Sequence, residues 1–405
     1  MKKFNIPSFY RSPLIQKVKE FRKQQDPKRR DFAPSVLDYG RIKYYIPRHF
    51  GFCYGVENAI EIAFKAIDEN PDKRIFLLSQ MIHNPEVNKD LEERGIRFLQ
   101  DTYGNTIIPF SELKDNDVII IPAFGAPLEI LETIKRQNIQ TYFYDTTCPF
   151  VERVWKKAEQ LGKQDYTIII HGKYQHEETR ATFSRSKQYN QSVIIRNIQE
   201  AQHLEPYILE QKSQEEFEKE FKNKFSEGFN IHQHFNRIGV INQTTMLATE
   251  TEEISEYLKQ VMIKKFGEKN IHEHFADTHD TLCYATNENQ TSVMHLLNSD
   301  ADLAIVVGGY NSSNTSHLVE LLQTKFPCYF IASSQEILSE DHIRHFDLHS
   351  KETKETENFL PQKSEIKVIL TGGASCPDAL LEEVIQRLNE LLKVGEYEQL
   401  FVLNN

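Results

Sequence analysis

The 405-residue sequence has no long apolar run and no excess of positive charge. A membrane-spanning helix needs roughly 18 apolar residues, but the strongest candidate, 117–125, is interrupted by Pro122 and Gly125. The 48 Lys and Arg residues are outnumbered by 59 Asp and Glu residues, for a net charge of −11, which disfavours general binding to nucleic acid. These absences predict a soluble globular protein with neither a membrane nor a nucleic-acid partner, in which an anionic ligand is held by local groups.

Three familiar motifs are also missing. The sequence contains no GxGxxG, no GxxxxGK[ST] and no CxxC pair. The first two absences disfavour a nucleotide cofactor, and the third excludes a local zinc finger. No repeat with a period of roughly 20 to 50 residues is visible, which disfavours a solenoid or a propeller.

Cysteine is scarce, and the five cysteines are far apart: Cys53, Cys148, Cys283, Cys328 and Cys376. Such spacing is unlike the disulfide framework of a small secreted domain. We therefore expect a reducing compartment and a cytoplasmic location. Residues 1–44 carry 12 Lys or Arg against 4 Asp or Glu. A plastid-type transit peptide is the alternative interpretation of this segment, although 13–21 equally predicts a short surface helix.

Short apolar runs alternate with helical patterns along most of the chain. The clearest runs are 118–121, 166–170, 303–307 and 366–370, each followed by a loop and a helix-like stretch. Continuous runs of this kind predict mainly parallel sheets covered on both faces, and hence the α/β class. Two polar stretches, 209–237 and 335–365, are expected to be exposed helices or loops that bury little apolar surface.

Three cysteines occupy similar settings, each directly before a helix-like stretch. These are Cys53, Cys148 and Cys283. Unpaired backbone N–H groups at a helix start favour the thiolate, which is the form that binds metal. Each cysteine taken singly fits an ordinary buried thiol better than a metal ligand, and spacing alone does not identify a metal. Cys328 and Cys376 are interpreted as a core thiol and a loop thiol.

Two strand-to-helix loops are rich in small polar residues. They are 308–318 and 371–380, and they include Ser312, Ser313, Asn314 and Ser375. Loops of this kind can present backbone and side-chain donors to a phosphate, although helix capping by Ser313, Asn314 or Asp378 is the simpler alternative.

Isolated polar residues elsewhere add candidates. His83 and His176 could donate to the same anion, and Glu178 could carry a proton if it is desolvated. Each of these residues could also be an ordinary solvated loop residue.

Taken together, these segments resemble the 4-hydroxy-3-methylbut-2-enyl diphosphate reductase (IspH or LytB) family. The resemblance runs from about residue 45 to about residue 392. It rests on the ordered set GFCYGV (51–56), IHNP (82–85), DTTCP (145–149), HEET (176–179), NQTT (242–245), TLCYAT (281–286), NSSNT (311–315) and GASCPD (373–378).

The resemblance implies three α/β domains in a trefoil around a central cavity. The expected division is a first domain at 45–148, a second at 149–279 with a polar insert at 209–237, and a third at 280–395, between an extension at 1–44 and a tail at 396–405. Cys53, Cys148 and Cys283 match the three ligands of a 4Fe-4S cluster. One iron is then left without a protein ligand.

The resemblance also implies roles for the polar residues. The substrate diphosphate would lie against His83, His176, Ser312, Ser313, Asn314 and Ser375. Glu178 matches the proton-donating acid, and Thr244 matches the threonine that orients the departing hydroxyl. The expected reaction yields isopentenyl and dimethylallyl diphosphate. The expected electron donor is a ferredoxin or a flavodoxin, and the expected assembly is a monomer or a homodimer.

Two positions depart from the shorter bacterial members of the family. Phe124 stands where those members carry His, and Glu177 replaces a Pro. Both changes resemble the plant and cyanobacterial branch. The alternative function, of another class, is a non-catalytic binding or sensor protein stabilised by zinc or by a cluster.

Overall fold

The computed structural model describes residues 5–136, 142–276 and 281–403. The chain divides into two compact units. Unit 1 comprises Met1–Glu61, Ile82–Leu91 and Tyr284–Asn405, and unit 2 comprises Ile62–Met81 and Glu92–Cys283. The three domains and the trefoil stay predictions, and the expected boundary at 279/280 lies outside the described residues.

The described residues contain sixteen strands and fourteen α-helices. The strands are β1 Ser35–Asp38, β2 Ile42–Ile46, β3 Ile75–Leu77, β4 Ile96–Phe98, β5 Val118–Ile121, β6 Tyr142–Asp145, β7 Thr167–His171, β8 Ser192–Ile195, β9 Ile238–Asn242, β10 Phe275–Ala276, β11 Leu303–Val307, β12 Cys328–Ile331, β13 His342–Asp347, β14 Glu352–Glu357, β15 Ile366–Gly372 and β16 Gln399–Val402. The helices are α1 Pro13–Gln25, α2 Tyr54–Glu69, α3 Pro85–Glu93, α4 Leu128–Lys135, α5 Pro149–Lys163, α6 Glu177–Ser186, α7 Ile198–Ile208, α8 Gln214–Glu220, α9 Ile231–His234, α10 Ala248–Phe266, α11 Ile271–His274, α12 Tyr284–Leu296, α13 Ser313–Gln323 and α14 Asp378–Leu392.

Unit 1 is built on one eight-stranded sheet in the order β14-β13-β12-β11-β15-β2-β1-β16. Its central strands β12, β11, β15 and β2 are parallel, whereas the strands at both edges pair antiparallel. The parallel centre confirms the prediction made from the apolar runs. The antiparallel edges were not predicted.

Helices cover both faces of this sheet. Leu303, Ile305 and Val307 belong to a core shared with α1 and α14. Ala304 and Val306, which alternate with them, belong to a second core shared with α12 and α13. Because successive side chains of a strand point to opposite faces, one apolar run serves both cores.

Helix α1 is fixed to this sheet by one apolar face. The hydroxyl of Ser12 accepts a hydrogen bond from the Ile15 N–H group at 2.8 Å and caps the helix. Ile15 and Val18 are buried in the core that α14 shares. The predicted helix is therefore confirmed, and it covers the core instead of lying free on the surface.

Unit 2 contains two four-stranded sheets, and both are entirely parallel. Their orders are β4-β3-β5-β6 and β10-β9-β7-β8. In the second sheet Ile168 and Ile170 pack with α5, and Ile169 packs with α7 and α10. The α/β class is confirmed in both units.

The expectation that 209–237 buries little apolar surface was wrong. Phe217, Phe221, Phe229 and Phe235 are at most 4% exposed and belong to the core beneath α7 and α10. The Phe217 ring lies 5.3 Å from the Phe221 ring and 5.2 Å from the Phe229 ring, measured between centroids. Because phenylalanines recur at every fourth position from 217 to 229, a mostly polar segment still supplies an aromatic cluster.

The second polar stretch, 335–365, is a hairpin of β13 and β14 in place of the expected helix or loop. Strand β14 is largely exposed, as expected. The expectation that the stretch buries little apolar surface was wrong, because Ile337, Ile343, Phe359 and Leu360 are buried in the core of unit 1. In the part of the chain that is described, no helix has both the length and the apolar character needed to cross a membrane.

Candidate active site

In unit 1, three neighbouring parallel strands end next to residues that the sequence singled out. Strands β11, β15 and β2 are adjacent. The segment after β11 carries residues 312–314, the segment after β15 carries Ser375, and the segment after β2 carries Cys53. The carboxyl ends of parallel strands open at one edge of a sheet, where ligands bind in open α/β folds.

Asn314 presents a buried amide donor at this edge. Asn314 is 3% exposed, and its Oδ1 accepts a hydrogen bond from the Ala374 N–H group at 2.8 Å. Its Nδ2 has no hydrogen-bond partner. A buried donor left unpaired costs about 1 to 3 kcal/mol. The orphaned Nδ2 therefore indicates a ligand with acceptor oxygens, as a phosphate has.

Serine hydroxyls surround the same amide. Ser312 Oγ accepts from the Thr315 N–H group at 3.3 Å and from Thr315 Oγ1 at 2.9 Å, so its own hydrogen remains available to a ligand. Ser313 is the first residue of α13 and is 2% exposed. Ser375 Oγ donates to the backbone oxygen of His83 at 3.1 Å. The expectation that Ser313, Asn314 or Asp378 caps a helix was wrong, because Ser312 caps α13 and Pro377 precedes α14 without a side-chain cap. Ser312 still has a hydrogen to donate to a ligand.

Glycines allow these segments to approach one another. A Cβ atom at Gly309 would collide with the backbone oxygen of His83, and one at Gly373 would collide with the side chain of Thr315. Both glycines therefore permit a packing that any other residue would disrupt. Sequence reasoning noted the glycines but did not identify this role.

Cys53 is hydrogen-bonded to a segment at the same edge of the sheet. It directly precedes α2, and its backbone oxygen accepts the Glu57 N–H group at 3.0 Å in the first turn. Its own N–H group donates to the Ala374 oxygen at 3.2 Å. The cysteine segment is therefore hydrogen-bonded to the loop that carries Ser375.

In unit 2, Cys148 is the residue that precedes α5, after strand β6. Its N–H group donates to the Ala123 oxygen at 2.9 Å. Burial raises the pKa of Cys148 to about 12, although hydrogen bonds from the Phe150 and Val151 N–H groups lower it. The helix-start N–H groups favour the thiolate of Cys148, as expected, but burial outweighs them and the thiol form is favoured. A coordinated metal ion would deprotonate the thiol.

Cys283 lies near Cys148 within the same unit. It directly precedes α12, is 8% exposed, and donates its N–H group to the Thr244 oxygen at 3.5 Å. Electrostatic interactions with Cys283 and with Glu178 also contribute to the raised pKa of Cys148. These three groups therefore share one electrostatic environment.

Glu178 and Thr244 form a buried pair. Glu178, in the first turn of α6, is 1% exposed. Its Oε1 accepts the Thr244 N–H group at 2.6 Å, and its Oε2 accepts the Thr244 hydroxyl at 2.9 Å. Burial raises the pKa of Glu178 to about 7, whereas the two hydrogen bonds from Thr244 lower it. A carboxyl group with a pKa near neutrality is suited to general acid catalysis.

His176 caps α6 and contacts Phe124. Its Nδ1 accepts the Glu178 N–H group at 3.1 Å, which leaves the ring hydrogen of a neutral histidine on Nε2. The Phe124 ring lies 5.5 Å from the His176 ring, at an interplanar angle of 83°. The residue that replaces a histidine of shorter members therefore packs edge to face against His176.

Two residues with structural roles were missed. Gln243 Oε1 accepts from Thr179 Oγ1 at 3.0 Å and from the Lys173 N–H group at 3.1 Å, and it thereby links the loop before Thr244 to α6. Asn84 caps α3 through its Oδ1, while its buried Nδ2 has no partner. Gln243 lies in the NQTT motif and Asn84 in the IHNP motif. No local sequence pattern distinguishes an amide that connects two segments from an amide that binds a ligand.

The cysteines suit an iron–sulfur centre in their chemistry. All five lie in the described part of the chain and are thiols that form no disulfide. Within those residues, no three His, Cys, Asp or Glu side chains stand close enough to hold a single metal ion. A cluster makes a different demand, because each cysteine binds a separate iron. Thiolates are the ligands such clusters use, so the donor set fits.

Comparison with known proteins identifies relatives of this chain. The LytB protein family model matches residues 45–389. The 4-hydroxy-3-methylbut-2-enyl diphosphate reductase of Gloeobacter violaceus is 39% identical over 364 residues, which cover 89% of this chain and 86% of that protein. The enzyme of the same name from Crocosphaera subtropica is 38% identical over 387 residues, covering 95% and 91%.

Solved structures share the fold. The E-1-hydroxy-2-methyl-but-2-enyl-4-diphosphate reductase from Plasmodium falciparum aligns with a TM-score of 0.61 at 23% identity, covering 85% of this chain and 87% of that chain. The (E)-4-hydroxy-3-methyl-but-2-enyl diphosphate reductase described as the terminal enzyme of the non-mevalonate pathway aligns with a TM-score of 0.50 at 23% identity, covering 85% and 98%. This likeness supports a shared α/β architecture. The chain belongs to the LytB family.

Proposed function

We propose that this chain is a 4-hydroxy-3-methylbut-2-enyl diphosphate reductase, the terminal enzyme of the non-mevalonate pathway. Two electrons and two protons remove the substrate hydroxyl as water and leave isopentenyl or dimethylallyl diphosphate. The family match and the 39% identity to a reductase support the assignment. The structural observation that carries it is the buried Glu178–Thr244 pair in the unit that holds Cys148 and Cys283.

The LytB family is known to carry an iron–sulfur cluster. In the proposal its ligands are Cys53, Cys148 and Cys283, with a trefoil of three domains as the finer architecture. When bound, the cluster supplies the electrons and, with three protein ligands for four irons, a Lewis-acidic iron open to substrate. The protein contributes binding, orientation and protons.

The Glu178–Thr244 geometry supports a path for the proton. The Thr244 hydroxyl donates to Glu178 Oε2 at 2.9 Å, so its oxygen can accept the substrate hydroxyl and orient it. When Oε2 carries the proton, the same contact reverses and Thr244 Oγ1 passes its own hydrogen to the departing oxygen. With a pKa of about 7, Glu178 holds a transferable proton near neutral pH.

Diphosphate binding is assigned to His83, His176, Ser312, Ser313, Asn314 and Ser375. The orphaned Asn314 Nδ2 supports this role, because a phosphate oxygen would satisfy it. The Ser312 hydrogen and the hydrogen on His176 Nε2 are further donors. Because Phe124 provides no hydrogen-bond donor, we propose that the diphosphate is held by one contact fewer than in shorter members.

The test is an anaerobic assay with the diphosphate substrate and reduced methyl viologen. The proposal predicts both isopentenyl and dimethylallyl diphosphate, identified by mass spectrometry after dephosphorylation. Purified protein that contains zinc, lacks iron and leaves the substrate unchanged would support the non-catalytic alternative. A ferredoxin or flavodoxin donor, a monomer or homodimer, and a cytoplasmic location remain part of the proposal.

A further inference from the structure

Helix α1 and the loop that follows it expose a cluster of cations on unit 1. Lys23, Lys28, Arg29 and Arg30, here called the basic rim, are all exposed. Among the described residues, Lys23, Lys28 and Arg30 form no ion pair. The rim belongs to a segment, 1–44, with 12 Lys or Arg against 4 Asp or Glu, in a chain whose net charge is −11. Positive charge is therefore concentrated here against the overall balance.

The loop beneath the rim is held in place by buried groups. Arg22 is 2% exposed, and its Nη2 donates to the Asp31 and Ala33 oxygens at 3.1 and 3.0 Å. The Asp26 carboxylate accepts the Arg30 and Asp31 N–H groups, both at 3.1 Å. These anchors hold residues 28–30 in a defined outward-facing position.

The helix under the rim is also fixed to the core. Lys19 Nζ lies 2.7 Å from Asp378 Oδ1 at the start of α14. The Ser12 hydroxyl donates to Glu382 in the same helix. Helix α1 therefore presents its cations on a rigid support, which lowers the ordering cost of binding a partner.

The rim borders a cavity that reaches Cys53. The cavity has a volume of about 300 Å³, and its lining includes Lys23, Arg29, Arg48 and Cys53. Glu57 and Glu288 also line it, so its interior is electrically mixed. Two of the four rim cations, Lys23 and Arg29, lie at this cavity. Asn289 lines the cavity as well, and its buried Nδ2 has no partner.

We propose that the basic rim is the docking surface for an acidic one-electron carrier protein, which delivers electrons across the Cys53 loop. This inference rests on the proposed function, in which Cys53 is a cluster ligand. Each docking oxidises one reduced carrier by one electron. Two dockings therefore supply the two electrons that, with two protons, convert the substrate hydroxyl to water.

The charge pattern selects this kind of partner. A positive patch on an acidic protein attracts an acidic partner at one face and repels it elsewhere, which fixes the orientation of encounter. Electron transfer also weakens steeply with distance, so a carrier needs a face close to a cluster ligand. The rim meets both conditions because it borders the cavity that Cys53 lines.

The test compares two triple variants with the same change in charge. The rim variant is Lys23→Gln/Lys28→Gln/Arg30→Gln, and the control is Lys212→Gln/Lys219→Gln/Lys222→Gln, three exposed lysines of unit 2. Binding of an oxidised acidic [2Fe–2S] ferredoxin to the holoenzyme is measured by titration calorimetry at several salt concentrations. Turnover is measured with reduced ferredoxin and, separately, with reduced methyl viologen.

We expect the rim variant to raise both the Kd and the KM for ferredoxin by roughly tenfold or more and to flatten their dependence on salt. Its rate with methyl viologen should equal that of the parent, and the control should bind ferredoxin as the parent does. Equal effects of both variants, or no effect of the rim variant, would overturn the inference. The inference would also be overturned if the rim variant bound ferredoxin as the parent does but lost affinity for an oligonucleotide probe. A parent without viologen-driven turnover would instead refute the proposed function.

Discussion

Replacing Glu178 by glutamine separates proton donation from the other properties of the site. The amide oxygen of glutamine can accept the Thr244 N–H group at the position of Oε1, and its NH₂ group can donate to Thr244 Oγ1 at the position of Oε2. Both contacts are therefore kept while the acidic proton is lost. Because the substitution alters no thiol and no phosphate donor, iron content and the substrate KM should remain those of the parent.

The expected loss is confined to turnover. General acid catalysis contributes roughly 10² to 10⁴ in rate, so Glu178→Gln should lower kcat by about that factor. Since burial raises the pKa of Glu178 to about 7, the donor form is present below that pH. The kcat of the parent should therefore fall as pH rises through about 7, and the residual kcat of the variant should lack that step.

The same pKa predicts that Glu178→Gln is more stable than the parent at alkaline pH. The folded protein holds a proton on Glu178 between about pH 4.5 and 7, whereas the unfolded chain releases it. The contribution of Glu178 is therefore fully present below pH 4.5 and is lost as pH rises through 7, a change on the order of 3 kcal/mol. Glu178→Gln should remove this loss and unfold at higher urea concentration than the parent at pH 8.

The assay is steady-state turnover from pH 5.5 to 8.5 with reduced methyl viologen, together with iron analysis. The matched control is Glu177→Gln, because Glu177 is the adjacent buried carboxylate, at 4% exposure, and receives a hydrogen bond from Ser79. We expect the control to keep the pH step near 7. Parental kcat in Glu178→Gln, or an unchanged pH step in that variant, would refute the assignment of Glu178 as the acid.

Three further variants test the rest of the account. Cys283→Ser should lose iron and turnover together, because a hydroxyl replaces a cluster thiolate, and full iron content with parental turnover would contradict the ligand set. Asn314→Asp keeps the Oδ1 acceptor for the Ala374 N–H group but turns the orphaned donor into an anionic acceptor. Its substrate KM should rise about tenfold or more, and an unchanged KM would exclude Asn314 from phosphate binding. Phe217→Ala should lower the free energy of unfolding by about 3 to 5 kcal/mol in urea titrations, whereas a change below about 1 kcal/mol would contradict a core role for the aromatic cluster.

The apolar runs predicted the central strands because burial on both faces of a parallel sheet requires continuous apolar sequence. The run 303–307 is such a sequence, and it forms a fully buried strand. The antiparallel edge was not predicted because an edge strand such as β14 is mostly polar and exposed and therefore has no continuous apolar run. The buried segment around Phe217 was missed because four aromatic residues are diluted by polar neighbours, and only their spacing marks them.

The sequence predicted that the three cysteines directly precede helices, but it did not predict their ionisation. Each of Cys53, Cys148 and Cys283 directly precedes a helix, as the flanking patterns indicated. Burial, which depends on tertiary packing, reverses the expected ionisation at Cys148. The orphaned Asn314 amide and the contact between Phe124 and His176 likewise arise from packing between distant segments.

The central claim is that Cys53, Cys148 and Cys283 hold one 4Fe-4S cluster. Protein purified without air and analysed for iron, zinc and acid-labile sulfide, with Mössbauer spectra of ⁵⁷Fe-labelled material, tests this most directly. The account predicts about four irons and four sulfides per chain, with one iron spectroscopically distinct because it lacks a cysteine ligand. Stoichiometric zinc without iron, or four equivalent irons that persist after Cys53→Ser, would contradict it.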